Sequence, residues 1–442
     1  MKKIKMICDF LLALLLSLCA DCYVLVSGNV RALWVLVPLF IALNIFPGPL
    51  KKNIPSARLR VCGHGLAMLR MFLSALCIAL VYHVVLFFAS LGEPLWPVLW
   101  SALTCFGVLA VAFWNGIICV YCTSVHIGIK WRVIGAVFGM IFPVNLFILN
   151  KIIRTVAAEL EFERRCVARD NARKEQAVCA TKYPLLLVHG VFFRDFKHFN
   201  YWGRVPAALE RNGAKVYYGN HQSALTVAES AAELSERIKT IVRETGCEKV
   251  NIIAQSKGGL DCRYALSELD VLPMVASLIT VNTPHRGCIY AEKLLYKVPA
   301  GVKDGIANTY NAALRKLGDS DPDFIKAVTD LTFSACEKRN EKLKDPEGIF
   351  TASIGSMLAT SDGGHFPLNL SHGIVKHYDG PNDGLVGTSS FKWGDNFTLL
   401  QPKGEKGISH ADVIDLSRQD VEGFDVREFY VELVNDLKNR GL

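Results

Sequence analysis

Apolar and polar positions divide the 442-residue chain into two regions of different character. Up to about residue 150, long apolar runs alternate with short polar breaks. The runs cover about Phe10 to Val26, Ala32 to Phe46, Ala67 to Ala89, Val98 to Cys122 and Val133 to Leu149. Each approaches the ~20 apolar residues that a bilayer core requires. Lys2, Lys3 and Lys5 precede the first run, as in a secretory signal, but no small-x-small cleavage site follows. The second run begins after only Ser27-Gly28-Asn29-Val30-Arg31, so a hairpin of two spans is the better reading. Asp9 and Asp21 weaken the first run, and Pro143 and Asn145 the last. The pattern therefore predicts a multi-pass helical membrane region over 1–150, with four to five spans.

Beyond it, 151–181 is charged and helix-forming (AAELEFERRCVARDNARKEQA) and reads as a connecting helix. From 182 to 442 the period changes. Short apolar runs at Pro184 to Val188, Lys215 to Tyr218, Val250 to Ala254 and Val275 to Val281 have the look of buried parallel strands. Val227, Ala231, Leu234, Ile238 and Val242 recur at helical spacing, and Gly246 closes that helix. Alternating strand and helix predicts an α/β fold with a mostly parallel sheet covered on both faces. About 260 residues suit one such domain.

Charge fixes an orientation but not a side. Lys2/Lys3/Lys5, Lys51/Lys52/Arg58/Arg60 and Lys130/Arg132 flank the runs on one side, against Arg31 and Glu93 on the other. The amino terminus is expected to be cytoplasmic in the cell membrane. Five spans would put 182–442 outside and four would keep it inside, while Lys151 and Arg154 argue for inside. The net charge of +8 is spread along the chain without a basic, aromatic-interleaved cluster, which argues against nucleic acid as a partner. Eight of the 14 cysteines lie in the first 122 residues. There they read as small hydrophobes, and the CxxC pairs Cys19/Cys22 and Cys119/Cys122 sit in a poor setting for zinc or redox work. Asp21, His83 and Asn115 read as scattered polar positions without evident partners, not as a transport path.

The chemistry concentrates at Lys249 to Arg263, KVNIIAQSKGGLDCR. An apolar strand, Gln255-Ser256-Lys257, two glycines and a resumed helical pattern have the layout of a nucleophile elbow, with Ala254 where the usual pattern has Gly. A serine hydroxyl needs a positioned base, and the base needs an orienting acid. His410 and Asp383 supply them in the order Ser256, Asp383, His410. Asp379 and Asp395 are less well placed acids, and His365, His372 and His377 precede the acid and break the order. An oxyanion site would use the Val191 N–H, after the Gly190 turn, and the N–H of Lys257. His189 reads as a structural hydrogen-bonding residue.

From Tyr183 to roughly Gln419 the chain resembles the bacterial triacylglycerol lipases of the α/β-hydrolase superfamily. The matching segments are YPLLLVHG from Tyr183, AQSKGGLDCRY from Ala254, TPHRG from Thr283 and NDGLVGT from Asn382. The resemblance implies Ser256 as nucleophile, Asp383 as acid, His410 as base, and Val191 and Lys257 as oxyanion donors. It also implies a helical lid at about 288–348. No cofactor is required for the chemistry; a structural calcium on Asp412 and Asp362 is what the secreted relatives would imply. For Asp412 a helix N-cap is an equal reading. Two departures stand out: Lys257 puts a cation beside the pocket, and Ser389 replaces a cysteine, so that family's disulfide is not expected. The expectation is a membrane-anchored serine hydrolase acting on carboxylic esters of lipids, with the bilayer and the ester substrate as partners. An acyltransferase using the same triad, or a catalytically inactive membrane interaction protein, are the rival readings.

Overall fold

The computed structural model describes residues 2–48, 56–191, 200–316, 318–401, 406–421 and 423–442. Lys51 and Lys52 lie outside the described residues. The chain divides into two compact units, Met1–Asn171 and Ala172–Leu442.

The first unit is helical: α1 (Lys2–Ala20), α2 (Tyr23–Gly28), α3 (Leu33–Ile45), α4 (Ala57–Ala89), α5 (Trp96–Thr123), α6 (Gly128–Phe138) and α7 (Val144–Arg173). Only α4 and α5 are long and apolar enough to cross a membrane among the described residues, while Met6–Ala20 and Val30–Ile45 are shorter apolar helices. The expected fifth run is broken between α6 and α7, where Gly139 and Pro143 interrupt the ladder. The tail of that run continues unbroken into the charged segment as α7, so no separate connecting helix begins at 151. Gly65 of α4 and Gly116 of α5 let these helices approach closely. A Cβ at Gly65 would stand 2.8 Å from the Gly116 carbonyl oxygen, and one at Gly116 would meet Leu69 at 2.9 Å.

Polar positions read as scattered are paired here. His83 Nδ1 lies 3.5 Å from Asp21 Oδ1, and Asn115 Nδ2 donates to Asn44 O (3.0 Å) and Oδ1 (3.1 Å). Buried Glu159 of α7 accepts from Arg58 (2.8 Å) and from the Ser124 hydroxyl (2.6 Å), so a buried carboxylate is matched by a cation and a hydroxyl.

The second unit is built on a six-stranded sheet in the order β2-β1-β3-β4-β5-β6, parallel throughout. Its strands are β1 (Leu185–Val188), β2 (Val216–Tyr218), β3 (Val250–Gln255), β4 (Val275–Val281), β5 (Phe350–Ser356) and β6 (Asn396–Leu400). The period-2 alternation sorts side chains to two cores. Leu185, Leu187, Ile253, Ile279 and Val281 face one side with α8 (Val205–Arg211) and α16 (Val426–Asn439). Leu186, Val188, Ile252, Ala254 and Leu278 face the other with α9 (Val227–Thr245) and α10 (Lys257–Glu268). Helix α9 starts with a capping box of Thr226 and Glu229 and stops at Gly246, whose φ of 67° few other residues tolerate.

Between β4 and β5 the chain makes a helical insert of α11 (Ile289–Lys297), α12 (Ala300–Lys316), α13 (Phe324–Thr329) and α14 (Phe333–Asn340). Helix α15 (Leu368–Asp379) follows β5. The chain runs from β1 outward to β2, then returns to the opposite side of β1 for β3. The sheet therefore reverses direction between β1 and β3, which is where α/β sheets place ligands outside their carboxyl ends.

Candidate active site

Ser256 sits directly at the carboxyl end of β3, beside the reversal point, with φ 55° and ψ −131°. A non-glycine residue in that region stores about 1–3 kcal/mol of strain and persists only where its surroundings over-determine it. They do so here. The Ser256 N–H donates to Val281 O at the end of β4 (2.9 Å), and its carbonyl accepts from Gly259 N–H (3.1 Å). The two glycines of the elbow have steric reasons. A Cβ at Gly258 would lie 2.5 Å from His189 O, and one at Gly259 2.2 Å from Thr283 Oγ1.

At the neighbouring strand end, a Cβ at Gly190 would lie 2.7 Å from Ser256 Cβ, so the Gly190-Val191 backbone runs against the serine. Neither the Val191 N–H nor the Lys257 N–H has a hydrogen-bond partner among the described residues. Lys257 opens α10, where the first N–H groups have no acceptor within the helix.

Asp383 and His410 meet on loops beyond β5 and β6. His410 Nδ1 donates to Asp383 Oδ2 at 2.6 Å, and the His410 N–H donates to Asp383 O at 2.8 Å. The Asp383 carboxylate is wholly buried. It also accepts from Leu385 N (2.9 Å), Val386 N (2.8 Å) and Asn282 Nδ2 (2.7 Å), so its orientation is fixed from three sides. Gly384, at φ 102°, makes that tight turn. Asn282 follows β4 with φ 46° and also reaches Ser356 Oγ at 2.7 Å.

The structure brings Asp383 and His410 together and sets Ser256 on the elbow, but it forms no Ser256–His410 hydrogen bond among the described residues. Gln255 holds that position. Its Nε2 lies 3.0 Å from His410 Nε2, and its Oε1 accepts from the Tyr201 hydroxyl. Because Nδ1 carries the proton given to Asp383, Nε2 is the acceptor, and the Gln255 amide donates to it. Gln255, Tyr201 and Asn282 are thus parts of the site that the sequence reading missed. Asn282 carried a signal, an asparagine just past a buried strand; the other two carried none.

Lys257 corrects an expectation. Its side chain does not border the pocket but is buried. The ammonium donates to Asp261 Oδ1 (2.8 Å), Asp261 Oδ2 (3.1 Å) and Ser230 Oγ (2.8 Å). The i, i+4 spacing on α10 forces this encounter. Burial pushes the Asp261 carboxyl up to about 6, against the opposing pull of Lys257. His189 is engaged with backbone, at 2.8 Å from Gly190 O and 3.1 Å from His221 O, and its ring stacks on His221 at 4.0 Å.

Of the other candidate acids, Asp379 accepts from Ile289 N (2.9 Å) and Tyr290 N (2.8 Å) at the start of α11, and Asp395 is exposed. His372 Nδ1 is within 2.9 Å of Ser361 Oγ. Asp412 is buried, and its Oδ2 accepts from Ser409 Oγ (2.6 Å) and Ser409 N (3.2 Å). Asp362 lies on an exposed 3-10 turn. One carboxylate committed to its own turn and one exposed fit a calcium ion poorly, and no step below uses one.

No family profile matches the chain. A triacylglycerol lipase of Vibrio cholerae is 28% identical over 323 residues, 66% of this chain and 100% of that protein. A second triacylglycerol lipase, from Pseudarthrobacter phenanthrenivorans, is 34% identical over 167 residues, 35% of this chain and 51% of its own. Among solved structures, the Staphylococcus hyicus lipase superposes with a TM-score of 0.46 at 18% identity, covering 59% of this chain and 97% of that one. The triacylglycerol lipase sequences support ester hydrolysis, and by them the chain is a carboxylic ester hydrolase.

Proposed function

We propose that the chain is a membrane-anchored serine hydrolase that cleaves carboxylic esters of lipids, acylglycerols among them, through Ser256, His410 and Asp383. The observation that carries this reading is the strained serine at the elbow together with the buried Asp383–His410 pair, whose Nε2 is held by the side chain of Gln255, the residue next to that serine.

The Gln255 amide first yields its place on His410 Nε2 to the serine hydroxyl. His410 then takes the Ser256 proton as Oγ attacks the ester carbonyl, and Asp383 holds the imidazolium. The oxyanion rests on the Val191 and Lys257 N–H groups; one such donor is worth about 3 kcal/mol in the transition state. His410 hands its proton to the departing alcohol, and water releases the acyl group by the same steps. Helices α11 to α14 act as the lid, hinged near the Asp379 contact with the start of α11. Tyr296 and Val302 on this insert are 81% and 53% exposed, an apolar surface suited to a lipid interface.

Anchoring falls to the first unit. Helices α4 and α5 have the required length, and large side chains on them (Phe88 65%, Trp96 70%, Phe106 73% exposed) face outward as they would toward acyl chains. Hydrolysis of p-nitrophenyl and acylglycerol esters by Ser256→Ala is expected to vanish with the fold intact. Turnover retained in that variant would refute the assignment. Adding competing alcohols separates hydrolysis, which yields free acid, from acyl transfer, which yields a new ester.

A further inference from the structure

We propose that Asp21, His83 and Cys105 form a binding site for a divalent transition-metal ion of the zinc class within the helical unit. The three come from separate elements: the break between α1 and α2, the carboxyl half of α4, and α5. Their ligand-type atoms all lie within 4.8 Å of one another. Carboxylate oxygen, imidazole nitrogen and thiolate sulfur are the donor set that zinc accepts, at separations a single ion can bridge after small rotations.

Three observations point to a ligand here. First, two ligand-type atoms, Asp21 Oδ1 and His83 Nε2, are buried without a hydrogen bond among the described residues, Oδ1 having only the 3.5 Å contact with His83 Nδ1. Unsatisfied polar atoms in apolar surroundings are costly, and a bound cation would recover that cost. Second, His83 Nδ1 is 2.9 Å from Ala79 O, one turn back on α4. Giving its N–H to a backbone carbonyl fixes the tautomer and leaves the lone pair on Nε2, the arrangement found behind metal-bound histidines. Third, the charges balance. One carboxylate and one thiolate neutralise a divalent ion, so the loaded site is uncharged in a largely apolar cluster that includes Ala20, Ala75, Ala79 and Leu109. Binding displaces the Cys105 thiol proton to solvent and forms the sulfur–metal bond in its place.

The site also gives Asp21 a reason to interrupt an apolar run. A ligand at the end of α1 ties it to α4 and α5. Water completes the shell as the fourth ligand; Cys22 packs against the same cluster, but a second thiolate would leave the site with an uncompensated negative charge. The alternative is a metal-free Asp21–His83 contact, and the test separates the two.

The full chain, purified in detergent and stripped with a chelator, is titrated with cobalt(II). One cobalt per chain with a thiolate-to-cobalt charge-transfer band is expected, and Cys105→Ser should abolish the band. His83→Gln should weaken binding about ten-fold or more. Because other cysteines are present, maleimide labelling of the wild-type chain with peptide mapping is read in parallel. Cobalt should protect Cys105 selectively, a result that requires no variant to fold. Absence of the band, a band undiminished in Cys105→Ser, or equal labelling of Cys105 with and without cobalt would each overturn the site.

Discussion

On the proposed reading, Lys257 serves the site by its backbone while its side chain does something else. The N–H is left over at the start of α10, whereas the ammonium closes a buried ion pair with Asp261. Removing one partner of such a pair typically costs about 3 kcal/mol, because the other charge is left stranded. Lys257→Gln is therefore expected to lower stability by about 3 kcal/mol in denaturant titration. Per folded molecule, kcat should stay within a few-fold, since the donor is the peptide N–H. A selective loss of kcat would place the ammonium in the chemistry. Gln255 poses the opposite case. Its amide competes with Ser256 for a single lone pair, at about 1 kcal/mol for such a bond. Gln255→Ala should raise the turnover of a small ester by up to about five-fold, and a fall would mean that the amide steadies the ring for Ser256. The elbow at Ser256 and the candidate acid and base, Asp383 and His410, were read from turn chemistry and chain order; the structure pairs the latter two with each other and His410 with Gln255. Gln255 was not legible, because its role depends on where a side chain points across a separation of 155 residues.

At the scale of elements, β1 to β4 and α9 stood out in the sequence to within a residue or so, since each is a mostly apolar run or a regular helical stripe. Strands β5 (FTASIGS) and β6 (NFTLL) did not, being only partly buried and mixed with small and polar residues. Their place is dictated by pairing with β4 and with each other, which no local pattern announces. The corner after β4 carries a pH signature. His285 is buried, stacks on Trp393, and lies 2.9 Å from Thr280 Oγ1 and 3.3 Å from an Arg263 nitrogen. Burial first, then Arg263 and Arg286, hold its pKa well below the usual histidine value. The imidazole stays neutral in the fold, but the unfolded chain takes up a proton below about pH 6.5. Stability from this group is present above that pH and lost below it, by about 1.4 kcal/mol between about pH 7.5 and about pH 5.5. Unfolding free energies of His285→Gln at the two pH values should lack this increment; an unchanged dependence would remove His285 as its source.

For the whole molecule, the apolar runs were visible in the sequence, but their number was not. Helix length and continuity decide spanning, and breaks near Asp21 and at 139–143 split two of the runs. The proposal that remains is anchoring through α4 and α5. The full chain should stay in the membrane pellet after alkaline carbonate washing, and release into the supernatant would contradict anchoring. The central claim is that one serine, activated by His410 and Asp383, carries ester cleavage. It is tested most directly by labelling the detergent-solubilised chain with a fluorophosphonate and mapping the adduct. The account predicts a single adduct on Ser256, lost in Ser256→Ala and reduced about a thousand-fold or more in rate in His410→Ala. An adduct on another residue, or labelling unaffected by loss of His410, would contradict it.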